Sequence, residues 1–288
     1  PEDRLLDLDV LGYYTFTRND ETRLDDLGAG PQGEKLKRDV DTLGFRLDNR
    51  SRVTLSEATD VTFTYGGEFY RDVQDGESAS GDREGVPDAD ANFFGFFGQA
   101  EFAVAEPFGV LSGDVLIIPG LRFDSYTSSS DLADDNDEQA LSPSIKLAYM
   151  PAEWLMMFAS YSEAFRAPHM DELYLSGVHF EIPVGAGVVN RFVSNPDLDP
   201  QRTRTFEFGG GLSFRDLFED SDSLEFKASH YITWGKDFID LSVDQPTLFV
   251  DCNPFIPGNC DGPTTSSNVP KAKLWGSEFE LAYDGPRF

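Results

Sequence analysis

Period two dominates the chain. Leu6, Leu8, Val10, Gly12, Tyr14 and Phe16 alternate with Asp7, Asp9, Leu11, Tyr13, Thr15 and Thr17, the mark of a strand with one apolar and one more polar face. The rhythm returns at Leu43, Phe45 and Leu47, at Val61, Phe63, Tyr65 and Phe69, across 93–105, 114–125 and 141–149, and in the more uniformly apolar 153–163. It is clearest at 204–214, where Phe206, Phe208, Leu212 and Phe214 oppose Thr205, Glu207 and Ser213, and it recurs at 224–235 and 274–284. These segments predict ten strands of about nine to thirteen residues, the length that crosses a bilayer at a tilt.

The connections sort by length. Those after odd-numbered segments are long, 18–38, 71–92, 126–140, 164–203 and 236–273. Those after even-numbered segments are short, 51–59, 106–113, 150–152 and 215–223. Alternating short turns and long loops is the habit of outer-membrane barrels. The predicted fold is therefore all-β, a transmembrane antiparallel β-barrel whose apolar face meets lipid. Its polar face, with Glu68, Glu101, Glu207, Glu225 and Glu278, lines a wet lumen. Tyr65, Tyr149, Trp154, Trp234 and Tyr283 fall near strand ends, where an aromatic girdle sits. A soluble sheet with one polar face is the competing architecture. Loops of this size suit a large barrel, and plugged transporters have about 22 strands. Residues 1–288 are accordingly read as one domain, part of such a barrel with the plug domain absent. Alone, such a part would leave two sheet edges that hydrocarbon cannot satisfy.

Composition narrows the partners. Lys and Arg total 23 against 52 Asp and Glu, a net charge of −29 that argues against nucleic acid, which needs a basic footprint. No apolar run of about eighteen residues marks a membrane-crossing helix. No charged-apolar-small pattern opens the sequence as a secretory signal would, which leaves the compartment open. Cys252 and Cys260 flank Asn253, Pro254, Pro257 and Gly258. Turn formers of this kind can bring two sulfurs together, so the pair reads as a local disulfide in an oxidising compartment. The alternative is two free thiols, since a metal site would need further ligands at short spacing. The acidic stretch 131–139 lacks the glycine and ligand order of a Ca²⁺-binding loop and reads as a solvated charge run.

The candidate chemistry lies in 161–200. This stretch leaves strand pattern at Ala167-Pro168 and holds His169 and His179, two of the chain's three histidines. Met170, Leu173 and Tyr174 recur at helical spacing, with Gly177 placed to end a short helix. Long, partly structured loops on a β scaffold are where function tends to sit.

Two short words within it carry a resemblance. Phe165, Arg166, Ala167 and Pro168 spell FRAP, and Asn195, Pro196, Asp197 and Leu198 spell NPDL, with SGVHF at 176–180 between them. They resemble the FRAP and NPNL boxes that flank a haem-coordinating histidine in the haem and haemoglobin receptors, a branch of the TonB-dependent outer-membrane receptors. Asp197 stands where that family usually has a second Asn. Segments 64–72, 85–91, 118–126, 142–149 and 273–284 resemble the family as well, so the likeness spans nearly the whole chain.

The resemblance implies a receptor in the outer membrane of a Gram-negative bacterium, in contact with its lipid. It would bind haem, or a haem protein that delivers it, at extracellular loops and import it. The energy would come from the TonB complex acting through the plug. It implies His179 as axial ligand to the haem iron, the haem being cargo and not a catalytic cofactor. A neutral imidazole suits that iron, and Phe180, Ile182, Val184 and Val188 are apolar neighbours for a porphyrin face. On the residues alone, His179 reads rather as an exposed loop histidine without a ligand role; its place between the two boxes reverses that. His169, directly after Pro168, is either a second ligand or a helix-start cap. His230 shares a strand face with Phe226, Ala228, Ile232 and Trp234 and is excluded. Arg166 either pairs with a haem propionate, as guanidinium suits carboxylates, or ties the loop base to a lumen carboxylate such as Glu163. Asn195-Pro196 and Asp199-Pro200 read as turns that return the chain to the sheet. No catalytic role is expected, because Ser160, Ser162 and His169 come without a nucleophile elbow or zinc motif. A ferric siderophore or protein-bound iron stays open as the cargo, and a passive porin or adhesin as the class.

Overall fold

The structure, a computed structural model, describes residues 4–24, 31–79, 81–83, 85–107, 112–131 and 133–285. In chain order the strands are β1 (Leu8–Thr22), β2 (Lys35–Ser56), β3 (Thr59–Ser78), β4 (Gly81–Asp82), β5 (Ala89–Ala105), β6 (Asp114–Ser130), β7 (Ala133–Ala152), β8 (Leu155–Arg166), β9 (Gly177–Ile182), β10 (Val188–Phe192), β11 (Gln201–Arg215), β12 (Ser223–Lys236), β13 (Phe238–Val243), β14 (Gly262–Val269) and β15 (Ala272–Asp284). One helix, α1 (Met170–Tyr174), interrupts them. The ten segments predicted from alternation form one antiparallel sheet in the order β1-β2-β3-β5-β6-β7-β8-β11-β12-β15, with β4 clipped to β3. Among the described residues β1 and β15 do not pair with each other, so the sheet has two open edges.

Register aligns like with like. Phe206 lies opposite Tyr161 and Ile232, and Phe208 opposite Ala159 and His230. Leu43, Phe45, Leu47, Phe94, Phe96, Phe279 and Leu281 are likewise exposed on this face. An apolar wall of this extent is stable against hydrocarbon and a liability in water. The other face is ionic. Arg122 Nε donates to Asp124 Oδ1 at 2.7 Å and its Nη2 donates to Glu68, while Lys227 sits 3.9 Å from Glu225 and 3.7 Å from Glu280. Gly95 makes room for this cluster: a Cβ there would come within 2.5 Å of Arg122 Nη2 and 3.0 Å of Asp124 Oδ1. The aromatic ends match the expected girdle, with Trp154 stacked on Phe214 at 5.9 Å and the Tyr149 hydroxyl donating to Ser112 O at 3.0 Å.

Two of the expected long loops, 71–92 and 126–140, prove to be mostly strand, and 18–38 is strand at both ends. Parts of 18–38, 71–92 and 126–140 continue the ladders of β1–β2, β3–β5 and β6–β7, the last as far as the pair Ser130–Ala133. The acidic run therefore belongs largely to β7, and Leu132 lies outside the described residues. Its Asp and Asn are poor strand formers, but cross-strand pairing and an established register override that preference. Length shows where the excess goes. Twenty residues of β3 rise about 66 Å, or about 47 Å along the membrane normal at a 45° tilt, against about 30 Å of hydrocarbon. The hairpins thus stand well above the apolar band on the long-loop side. On the other side the connections stay short, at 57–58, 106–113, 153–154 and 216–222.

The 216–222 turn is built on one carboxylate. Asp222 is 2 % exposed and accepts from the backbone N–H of Leu217, Phe218 and Glu219 at 2.6, 2.9 and 3.0 Å, and from the Tyr283 hydroxyl at 3.1 Å. Desolvation alone would raise its pKa, but these four donors outweigh it and hold the carboxyl below its ordinary value. Its stabilising contribution is therefore complete above the unfolded aspartate value, about 3.9, and is lost as pH falls through the lower folded value. Asp222→Ala is expected to lower the unfolding midpoint of the detergent-solubilised protein at neutral pH. The deficit should shrink on acidification below about pH 4, as read from urea-unfolding curves at stepped pH. An equal deficit at all pH values would contradict this account.

Candidate functional site

The 167–200 connection folds back onto the ionic face of the sheet. Pro168 and the N-cap His169 open α1, whose capping box is complete. His169 Nδ1 accepts from Asp171 N at 3.3 Å, and Glu172 Oε2 accepts from His169 N at 2.7 Å. The helix ends at Tyr174 with Leu175 as C-cap, earlier than Gly177, which instead opens β9 with φ +97°. Five residues do not hold a helix by themselves; packing does. Met170, Leu173 and Tyr174 are buried with Leu198 against Ala89, Ala91 and Tyr126 on β5 and β6. The Tyr174 hydroxyl donates to Ser128 O at 2.8 Å. Asp171 accepts from Arg38 at 2.7 Å and from Gln74 at 3.0 Å, which ties α1 to β2 and β3.

Both sequence boxes serve this docking. Arg166 forks onto Glu172 at 2.8 and 2.9 Å and reaches Gln201 Oε1 at 3.0 Å. The expected tie to Glu163 is absent. Glu163 lies opposite Arg204 on the face of Tyr161 and Phe206, and its contacts are the Tyr161 hydroxyl at 2.6 Å and Arg204 at 3.4 Å. At the other box, Asn195 N donates to Leu173 O at 2.8 Å, and Asn136 Nδ2 donates to Pro196 O and Leu198 O at 2.9 and 3.3 Å. FRAP and NPDL thus clamp the two ends of the loop to the sheet.

Between the clamps the chain rises into a second sheet, four strands in the order β13-β14-β10-β9. It joins two separate connections, because β10 from 167–200 pairs in parallel with β14 from 237–271. The Cys252–Cys260 disulfide, with Cα atoms 5.3 Å apart, holds the turn that leads into β14. That turn is fastened to the β9–β10 hairpin: Ala186 N donates to Pro254 O and Val189 N to Asp261 Oδ1, both at 2.8 Å.

His179 sits at a break in this sheet. Phe180 pairs with Asn190 and Val178 with Arg191, so His179 is the extra residue of a bulge and shares one face with Phe180. Bulges re-aim side chains next to functional sites. The exposed imidazole lies 4.9 Å from the Phe180 ring and 4.3 Å from the Phe192 ring. Its Nδ1 is 3.0 Å from Thr264 Oγ1 and 3.3 Å from Asn190 Oδ1, whereas no described residue bonds Nε2. One nitrogen is anchored and the other has no partner among the described residues.

The profile of the family described as TonB dependent receptor-like, beta-barrel matches residues 2–288. The chain belongs to the TonB-dependent receptor β-barrels. Its place is the outer membrane of a Gram-negative bacterium, and the family is one of transport receptors, not enzymes. A "Hemin receptor" of Yersinia pestis is 34% identical over 261 residues, covering 90% of this chain and 35% of that protein. A "Heme/hemopexin utilization protein C" of Haemophilus influenzae is 31% identical over 270 residues, covering 88% and 35%. The chain therefore spans about a third of the length of these relatives. The Serratia marcescens hemophore receptor HasR, solved with its hemophore HasA and heme, superposes with a TM-score of 0.77. It is 23% identical, and the match covers 97% of this chain and 44% of HasR. The copper transporter OprC follows the same fold with a TM-score of 0.69, at 20% identity and over 97% of this chain and 42% of its own.

Within this TonB-dependent receptor barrel the predicted site residues separate. Arg166 and His169 belong to the α1 anchor, and His179 to the second sheet, which is built from the long connections. His230 stays on the lipid face, its Nδ1 2.9 Å from Ser277 Oγ and its ring 5.6 Å from Phe208. Of the apolar neighbours, Phe180 and Ile182 are partly exposed beside His179, whereas Val188, opposite Ile182, is 0 % exposed and cannot cover a porphyrin face. The sequence reading missed Asn190, Phe192 and Thr264. The alternation Val188, Asn190, Phe192 held a signal for the first two; Thr264, distant in another loop, had none.

Leu173, 0 % exposed, is the centre of the anchor. Leu173→Ala is expected to weaken the docked loop by about 2–5 kcal/mol. Hydrogen exchange should then quicken across 167–200 while the β5–β6 ladder keeps its protection. Unchanged exchange in the loop would show that the two boxes hold it without the helix.

Proposed function

We propose that the chain forms part of the barrel and the extracellular ligand site of a TonB-dependent haem-uptake receptor, with His179 as axial ligand to haem iron. One observation carries the reading. A bulge leaves the His179 imidazole exposed beside the Phe180 and Phe192 rings, with Nδ1 held by the buried Asn190 and Thr264 and Nε2 without a partner among the described residues. An axial ligand needs a neutral nitrogen lone pair with room for a flat macrocycle beside it. The hemin and heme/hemopexin relatives, at 34% and 31% identity, support haem as the cargo. A haem-carrying protein is a fitting donor, and passage inward would draw on TonB through a plug domain. No catalytic step is involved.

In this reading the ten strands are part of a larger barrel. Unpaired ladder groups along β1 and β15 cost several kcal/mol each in hydrocarbon and require further strands. His169 is assigned to the helix cap and Arg166 to the Glu172 fork, each already occupied by its structural partner. FRAP and NPDL serve by fixing the base from which the His179 sheet rises.

Haemin titrated into the purified full-length receptor should give a Soret band that saturates. His179→Ala should raise the apparent Kd at least about tenfold, since one lost ligand bond exceeds about 1.4 kcal/mol. His169→Ala should leave the Kd within about threefold, a change below about 1 kcal/mol. Identical titrations for wild type and His179→Ala would remove His179 from the site.

A further inference from the structure

We propose that Thr264 and Asn190 are positioning residues for His179, fixing its imidazole as the Nδ1–H tautomer so that the Nε2 lone pair is the one presented to the cargo iron. The proposal rests on the haem reading above and follows from counting donors. Asn190 Nδ2 faces three acceptors, Asp244 O at 3.5 Å, Gln245 Oε1 at 3.4 Å and Pro263 O at 3.4 Å. This orients the amide nitrogen toward them and leaves Oδ1, an acceptor only, facing Thr264 and His179. The Thr264 hydroxyl has one hydrogen and gives it to Asn190 Oδ1. Toward His179 it therefore presents lone pairs. Both atoms near Nδ1 are acceptors, so Nδ1 must carry the proton, and in a neutral ring Nε2 is then the bare nitrogen.

Burial makes the arrangement stiff. Asn190 and Thr264 are both 0 % exposed, so water cannot replace a lost partner. The reversed tautomer would set a lone pair against two oxygens. Partners of this kind, one step behind the ligand, fix its tautomer and orientation, and their loss typically costs about tenfold to a hundredfold in metal affinity. Thr264 lies 85 residues from His179, on the strand that follows the disulfide turn. The ligand is thus aimed by a loop other than its own, and the parallel β10–β14 pairing, which sets Phe192 against Thr264, brings the two together.

The test uses full-length receptor, haemin as probe, and three variants. In ¹⁵N spectra of histidine-labelled receptor without haemin, His179, assigned by its loss in His179→Ala, should show a protonated Nδ1 and a bare Nε2. Thr264→Val should abolish that preference and weaken haemin binding about tenfold to a hundredfold. It should also raise the midpoint potential of the bound haem, because an imidazole that donates from Nδ1 is the more basic ligand. Thr264→Ser, which keeps the hydroxyl, should restore all three readouts. A wild-type His179 protonated on Nε2 overturns the proposal, whatever the variants do. Unchanged tautomer and affinity in Thr264→Val overturn it as well. If Thr264→Val does not fold, the wild-type tautomer and Thr264→Ser still decide. Haem binding that survives His179→Ala defeats the haem reading instead, and leaves the tautomer measurement to stand or fall by itself.

Discussion

Hydrocarbon offers no partner to a backbone N–H or C=O, and this constraint organises the protein. A chain that meets lipid with strands must pair every strand on both sides, and antiparallel neighbours joined by short turns do so with the least chain. The order β1 through β15 follows directly, each main strand lying beside its nearest main neighbours in sequence. Alternation is a consequence of the same geometry, because side chains on a paired strand point to opposite faces. One face must dissolve in lipid, and the other is left to Arg122, Glu68, Asp124, Lys227 and Glu280.

Above the lipid the constraint relaxes, and the chain uses the freedom unevenly. Where hairpins could simply continue, they did, even through Asp- and Ser-rich sequence. Where Pro168 broke the ladder, the chain left the wall and needed anchors of another kind. The short α1 is such an anchor, held by three buried side chains and by Asp171 receiving Arg38 and Gln74. From that fixed base a small second sheet lifts His179 into an exposed position. Rigidity at the base and a bulge at the tip are complementary, since an aimed side chain is only as precise as its support.

Much of this was legible from residue types. The ten strands, their faces, the short turns, the Cys252–Cys260 disulfide and the helix near Met170 follow local rules of period, turn chemistry and spacing. Strand length above the membrane was not, because Ser, Asp and Asn at 126–140 carry the composition of a loop. Only the neighbour's register made them strand. Arg166 shows the same limit in one residue: the sequence offered several carboxylates, and the fold of 167–172 selected Glu172 over Glu163.

The sequence by itself determined that the chain is an antiparallel sheet with a lipid face, and that the stretch between FRAP and NPDL holds a candidate ligand histidine. Period two and turn formers are local properties, so no folding was needed to see them. Tertiary structure alone decided what holds that histidine. Thr264 stands far from it in sequence, and nothing local in either loop specifies the parallel pairing of β10 with β14. Such contacts arise when two loops anchored at separate points on one wall meet above it. The position of the histidine was written in the chain, and its orientation was set by the meeting of the loops.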